Sequence, residues 1–545
     1  MGNVTGQLSF DKLFLLSGVY ALFYTVCLYR NRMGIAFPVF VLGTAGLFLY
    51  YLRLTGRALK AGSVLYLGGI LLLGLNVCLT SNEIVILFDK GFIFLLFFML
   101  FLHNLYDDST WDVSKYILSL CVCVLSSVKF LPRPVKDLGA YLRGRRAEAT
   151  SGVICRASGE TSGVVCSADA KETSGVACRA GVACREKAKN STVNAEVTPE
   201  VVSTPEVAST AGHANPVVLY VLIGFGISLP LLAVVLPLLL SSDVIFQGFF
   251  KNMFDFSLEI DPGAVLFMMI VVFVTCYGTL CRFGQPIKFV AAPVADKRRY
   301  SPVIAITVNV VLLSVYLLYC GIQVIYLFLR QGNLPEGYTY SSYAHEGFFQ
   351  LVFVCLINIV LVLLCRKYSA DNLVLKSLLC LISGCTYVMI ASAAYRMYLY
   401  IGAYKLTFLR LYVLWALAAM AVVMAGIIAY LFLPRMPFAR FAAGVLVGLW
   451  MIFAYAKPDY QIAAYNIQYH DDDSYILRLS FDAVPAIAKY DASGKLLADY
   501  FNYGDYAYYE SNRTGGALQG RKKSLRTWNY SLQKTYRIYD EYKAK

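Results

Sequence analysis

A chain of 545 residues that is 58% hydrophobic and only 15% charged, with a mean hydropathy of +0.60 and a net charge of +14, is not composed like a soluble domain. Soluble domains run near half apolar and a quarter charged, so an ordinary soluble globular fold is excluded. Apolar segments of about 20 residues recur, the length a helix needs to cross roughly 30 Å of hydrocarbon, where the backbone must satisfy its own hydrogen bonds. The expected fold class is an all-α integral membrane protein of about 11 transmembrane helices in two groups, four and seven, joined by a long disordered linker.

Four spans come first: Leu13–Tyr29, Ile35–Leu52, Ala61–Thr80 and Ile84–Leu105. The first lacks a basic leader and a small-residue cleavage site, so it is expected to be a permanent helix. "YILSLCVCVLSSV", Tyr116–Val128, is short for a span and is flanked by Lys115 and Lys129. It is expected at the interface or as a re-entrant segment, closing an N-terminal region of residues 1–137.

Residues 138–215 change character. "TSGVICRASGE", "TSGVVCSADAKE" and "TSGVACRA" follow in tandem from Thr150. Such units are too polar and small to bury an apolar face, so a disordered linker is expected rather than a solenoid. The repeat cysteines Cys155, Cys166, Cys178 and Cys184 lack the close pairing of a zinc site, and their spacing is that of the repeat. The other cysteines lie in or beside apolar segments, where cysteine is a small hydrophobe, and none follows Cys385.

Seven more spans are expected over residues 216–456: Pro216–Leu240, Ala264–Cys281, Val303–Leu329, Phe348–Cys365, Leu378–Tyr400, Leu411–Leu433 and Phe441–Ala456. The fifth, "LIGFGISLPLLAVVLPLLL", is interrupted by Gly and Pro, as transporter helices often are. "RLTGRALK" from Arg53, "RGRR" from Arg143 and "ADKRRY" from Ala295 are basic, whereas the loops around Glu83, Asp243–Asp261 and Glu336–Glu346 are poor in basic residues or acidic. This alternation predicts a cytoplasmic N-terminus and an extracytoplasmic C-terminus in a plasma membrane, with Arg30, Arg32, Arg396 and Lys405 on the disfavoured side. The Tyr-rich tail, 457–545, reads as short helices on the outer surface, ending in the basic amphipathic "SLRTWNYSLQKTYRIYDEY".

No HExxH, CxxC, GxSxG or phosphate-loop motif occurs, and "YHDDDS" reads as a solvated turn, so neither catalytic residues, a metal nor a cofactor is expected. Ionisable and amide groups at membrane depth are the better signal, because they are costly there. Asp89 and Lys90, Asp243, His345 with Glu346, Arg396 and Arg410 collect at the outer level of their spans. The candidate polar site is Asp243, His345, Glu346, Arg396 and Gln323, with Glu346 able to pair with Arg396. One reading makes these groups interfacial anchors and a structural ion pair; another makes them a ligand, lipid-headgroup or ion site. Gln323 and Asn358 fit interhelical hydrogen bonding. The bilayer is the expected partner, with lipid headgroups or a small ligand at this layer; nucleic acid is not.

"QVIYLF", "LPEGYTYSSYAHEGFFQLVFVCLINIVLVLL" and "ASAAYRMYLYIGAYKLTFLRLYVLW" resemble a bacterial polytopic family catalogued as a domain of unknown function, the one numbered forty-one seventy-three, with a close relative numbered forty-one fifty-three. "LLLSSDVIF", "YNIQY", "LSFDAVPAI" and "LRTWNYS" are similar to its other blocks. The family pattern has Arg where this chain has His345, and Gly where it has Lys405. The resemblance implies a multi-pass bacterial plasma-membrane protein and supplies no substrate or reaction. A non-enzymatic role in transport, sensing or envelope assembly is expected. The alternative is a membrane enzyme acting on a lipid or envelope precursor, using His345, Glu346 and Arg396.

Overall fold

The computed structural model describes residues 10–31, 33–108, 111–143, 262–284, 287, 290, 301–325, 340–433, 436–469, 474–503 and 525–544, without the side chains of 340–349. The tandem repeats, the span expected at Pro216–Leu240 and Asp243 lie outside these residues.

Among the described residues the regular elements are helices, with no strand. The first group comprises α1 (Phe10–Leu28), α2 (Ala36–Leu54), α3 (Ser63–Leu79) and α4 (Glu83–Leu105), followed by α5 (Val113–Val128) and α6 (Arg133–Arg143). Then come α7 (Pro262–Phe283), α8 (Pro302–Gln323), α9 (Tyr340–Tyr368), α10 (Leu373–Tyr404), α11 (Phe408–Phe432) and α12 (Phe438–Tyr455). Nine of these, all but α3, α5 and α6, are long and apolar enough to cross a membrane, or ten if the bent pair α5–α6 counts as one span. The 17-residue α3 is apolar but shorter.

Local chemistry sets the boundaries. Asn82, Asp112 and Asn372 each accept a hydrogen bond from a backbone N–H of the turn that follows, starting α4, α5 and α10. Ser301 does the same for α8, with Pro302 in the first turn. Between α2 and α3 the chain reverses through Gly62 at φ +91°, a conformation that a side chain would strain.

The helices pack as an antiparallel bundle. α7 lies along α1, and α12 packs on both α11 and α3, so Trp450 and Val447 of α12 enter the same core as Leu73, Leu96 and Phe37. α8, α9, α10 and α11 form a second core around Cys355, Ile382, Met389 and Leu417. The turns after α2, α9 and α11 share one end, rich in Arg53, Arg57, Lys60, Arg366, Lys367 and Arg440. The turns after α1, α3, α10 and α12 share the other, where the tail folds: α13 (Pro458–Tyr469), α14 (Val484–Tyr490), α15 (Lys495–Tyr503) and α16 (Tyr530–Ala544).

Both ends of α5 touch the basic end. At its start Asp112 pairs with Lys367 at 2.7 Å; near its close Ser126 accepts from Arg282 of α7 at 3.0 Å. α6 stays there too, Asp137 accepting from Tyr277 at 3.0 Å and Tyr141 packing against Phe10 with the rings tilted. The pair is bent by 44° and does not run from one end of the bundle to the other.

Candidate functional site

Polar groups inside the bundle are ordered in depth. On α8, Asn309, Tyr316, Cys320 and Gln323 are spaced seven, four and three residues apart, which places them on one helix face. Each meets a polar group of α9 or α10. Asn309 donates to Cys365 Sγ at 3.5 Å, and Tyr316 donates to Asn358 Oδ1 at 2.9 Å. Asn358 in turn donates to Thr386 at 2.9 Å, and Cys320 lies 3.6 Å from the carbonyl of Cys385. At the tail end Gln323 Oε1 accepts from Ser392 at 2.7 Å and from Arg396 Nη2 at 3.3 Å. From Asn309 to Gln323 the seam extends about 21 Å along the helix. Asn309, Asn358, Thr386 and Ser392 are fully buried, so the groups satisfy one another rather than water. Asn309 Oδ1 is buried without a hydrogen-bond partner.

A second intramembrane site sits in the first core. Asp89 of α4 accepts from Asn76 of α3 at 2.8 Å and from the indole N–H of Trp450 at 2.8 Å. Phe88, Phe92, Tyr412, Trp415 and Phe453 surround that indole. Lys90 is turned toward the Phe37 ring, 5.0 Å away.

At the tail end the loop 80–82 is clasped by buried groups from the C-terminal segment. Asp482 accepts from the Thr80 hydroxyl and from the Ser81 N–H at 3.2 Å; its second oxygen lies 3.8 Å from Lys457. Asp459 accepts from Asn82 at 2.8 Å and from the Ser480 N–H at 3.1 Å. Burial pushes the Asp459 carboxyl above the usual carboxylate range; bonds from Ser480 and Asn82 oppose this and the Asp482 charge adds to it. Asn529 donates to the carbonyls of Met33 at 3.0 Å and Thr80 at 2.9 Å, and Arg526 donates to those of Val26 at 3.0 Å and Tyr29 at 2.7 Å. Asn466 holds both the N–H and the carbonyl of Leu406, 2.9 Å each. These bonds fasten three turns of the bundle to one folded tail.

At the basic end His103 stands 2.9 Å from Asp108 and 3.0 Å from the Ala61 carbonyl, and Tyr116 donates to Asp108 at 2.5 Å. With both ring nitrogens engaged, His103 locks α4 to the α2–α3 turn and leaves no nitrogen for a substrate.

Of the residues expected at the site, the structure brings Gln323 and Arg396 together. His345 and Glu346 lie in the first two turns of α9, with side chains outside the description, and Asp243 is outside the described residues. Asn76, Trp450, Asp459, Asp482, Asn466 and Asn529 were not singled out in the sequence, although the last three sit within "YNIQY", "LSFDAVPAI" and "LRTWNYS". Among the described residues no group of three His, Cys, Asp or Glu could hold a metal ion.

No curated protein and no solved structure matches the chain. A family described as a domain of unknown function (DUF4153) matches residues 169–490. This is the relative numbered forty-one fifty-three, and the match extends from the repeats to α14. With more than half of its length matched, this multi-pass chain of many apolar helices belongs to the domain of unknown function family DUF4153.

Proposed function

We propose that the chain is a non-enzymatic plasma-membrane protein of the transport class, with eleven spans and a polar path along α8. The observation that carries this is the seam from Asn309 to Gln323 and Arg396. Polar groups inside spans are costly, and a run of them through most of the hydrocarbon marks a route for a polar solute. The guanidinium of Arg396 sits eight residues, about 12 Å, below the tail end of α10 and suits an anionic or hydrogen-bonding cargo.

Chain parity supports the span count. α6 lies at the basic end, while α7 starts at the tail end and returns, which is the parity that the span expected at Pro216–Leu240 would give. α3 runs antiparallel to α4 and links the two ends, which makes eleven with the nine long helices. The basic turns at the end opposite the tail support a cytoplasmic N-terminus and an external tail.

The test is a metabolite and lipid profile of a deletion strain, complemented with the native chain or with Arg396→Gln. A shifted small-molecule pool restored only by the native chain is expected. Accumulation of one lipid or envelope precursor with loss of its product would replace transport by enzymatic turnover.

A further inference from the structure

We propose that α5 and α6 form an in-plane anchor whose ligand is the layer of anionic phospholipid headgroups at the basic end of the bundle. The two helices divide their surfaces by chemistry. On α5, Tyr116, Ser119 and Cys123 are buried against the bundle, while Ile117, Leu118, Val124, Leu125 and Val128 project from the opposite side, Leu125 at 68% exposure. Their spacing is that of one helix stripe.

α6 shows three faces. Pro134, Asp137 and Tyr141 turn to the bundle, where Asp137 meets Tyr277 and Tyr141 meets Phe10. Val135, Leu138 and Leu142 form an exposed apolar stripe. Arg133, Lys136 and Arg143 fall within about 80° of one another on the remaining side, at 100° per residue. The acid of α6 is already engaged, Asp137 pairing with Arg133 at 3.3 Å. Lys129, Lys136 and Arg143 are exposed and stand outside that pair.

An apolar stripe beside a basic one, on helices pinned at the level where spans end, matches the boundary between acyl chains and headgroups. A soluble acidic partner would satisfy the cations and leave the apolar stripes uncovered; an anionic monolayer covers both. The neighbouring turn after α2 carries Arg57 and Lys60, so the same end of the bundle faces the same charge layer. The inference stands apart from the transport reading, because it depends only on which end these helices occupy.

The full chain in a neutral detergent is titrated with phosphatidylglycerol or with phosphatidylcholine, and the lipid concentration giving half-maximal thermal stabilisation is read. The phosphatidylglycerol midpoint is expected to lie well below the phosphatidylcholine midpoint and to rise with salt. Replacing Lys129, Lys136 and Arg143 by Gln should raise the phosphatidylglycerol midpoint about fivefold per charge, on the order of a hundredfold in all. The phosphatidylcholine midpoint should not move, and Arg at all three positions should keep the native behaviour. Equal midpoints for the two lipids in the native chain would overturn the proposal, as would a Gln variant that keeps its preference. If the Gln variant does not fold, a native phosphatidylglycerol midpoint indifferent to salt overturns it just as well. Capture of an acidic soluble protein by a chain indifferent to phosphatidylglycerol would assign the patch elsewhere.

Discussion

Trp450 and Asp89 lie 361 residues apart in the chain and meet inside the bundle, the indole Nε1–H donating to Oδ1 at 2.8 Å where solvent reaches neither side chain. α12 is thereby fastened to α4 by a polar bond at a depth where an unmet acceptor is costly. Trp450→Phe keeps an aromatic ring in the cluster but removes the donor, and should destabilise by about 1–3 kcal/mol. Asp89→Asn in that background should recover part of the loss, because an amide tolerates a missing donor better than a carboxylate does. Thermal unfolding of the two single variants and the double decides; strictly additive losses would show that the pair is uncoupled.

How visible such contacts were in the sequence depended on their background. Gln323, Asn358 and Asp89 stand out because each interrupts an apolar run, where a polar group needs a reason. Their partners did not, since Tyr316, Thr386 and Trp450 are ordinary within spans and the pairing is set by long-range packing. Asp459, Asp482 and Asn529 were hidden for the opposite reason: in a tail full of Tyr, Lys and Asp, a carboxylate or amide carries no sign that it will be buried. The shortness of α5 was legible, because Tyr116–Val128, the apolar run between Lys115 and Lys129, is too short to cross comfortably.

Gly34 is required by the tail. A Cβ there would lie 2.3 Å from the Arg526 carbonyl and 2.6 Å from Thr527 Cα, both backbone atoms that cannot swing aside. Gly34→Ala should lift residues 525–529 off the α1–α2 turn, losing the bond from the Ile35 N–H to the Trp528 carbonyl at 2.8 Å and those from Arg526. The C-terminal helix α16 should then be cut readily by protease in the otherwise folded protein. Unchanged protease resistance would contradict the clasp.

The raised Asp459 sets a sign for pH. A carboxyl whose folded value lies above its ordinary 3.8 binds its proton more tightly in the folded tail. Its stabilising contribution is full below the ordinary value and is lost as pH rises through the folded one. Asp459→Asn keeps an oxygen to accept from Asn82 and Ser480 and has no proton to lose. The variant's tail should therefore match or exceed the native one in stability on the alkaline side of that window and lose the advantage in acid. A native advantage growing with pH would reverse the sign and refute the assignment.

Lys405 closes α10 at φ +124° and ψ 163°, a region nearly reserved for glycine. The turn is fixed from outside, since Asn466 holds Leu406 and Arg410 donates to the Lys405 carbonyl. Lys405→Gly should relieve strain of about 1–3 kcal/mol against an entropic cost of roughly 0.5–1 kcal/mol. A raised melting temperature is expected; a fall would mean that the lysine side chain contributes more than its backbone loses.

Glu346 remains the proposed partner of Arg396. It lies two turns into α9, at the tail end to which Arg396 is also close, and α9 packs along α10. From the α8 side Gln323 Oε1 accepts both from Arg396 Nη2 and from Ser392, which precedes the arginine on α10, and the guanidinium is only 8% exposed. A charge in a partly dry site is costly alone and much less so when paired. Glu346→Gln and Arg396→Gln should each lower stability, and the double variant, which leaves no orphan charge, should recover part of it. A coupling energy above about 0.5 kcal/mol establishes the pair, and simple addition dissolves it. Should the double variant fold well yet fail to complement a deletion strain, the charges serve the polar path as well as the fold, because stability alone would have been restored.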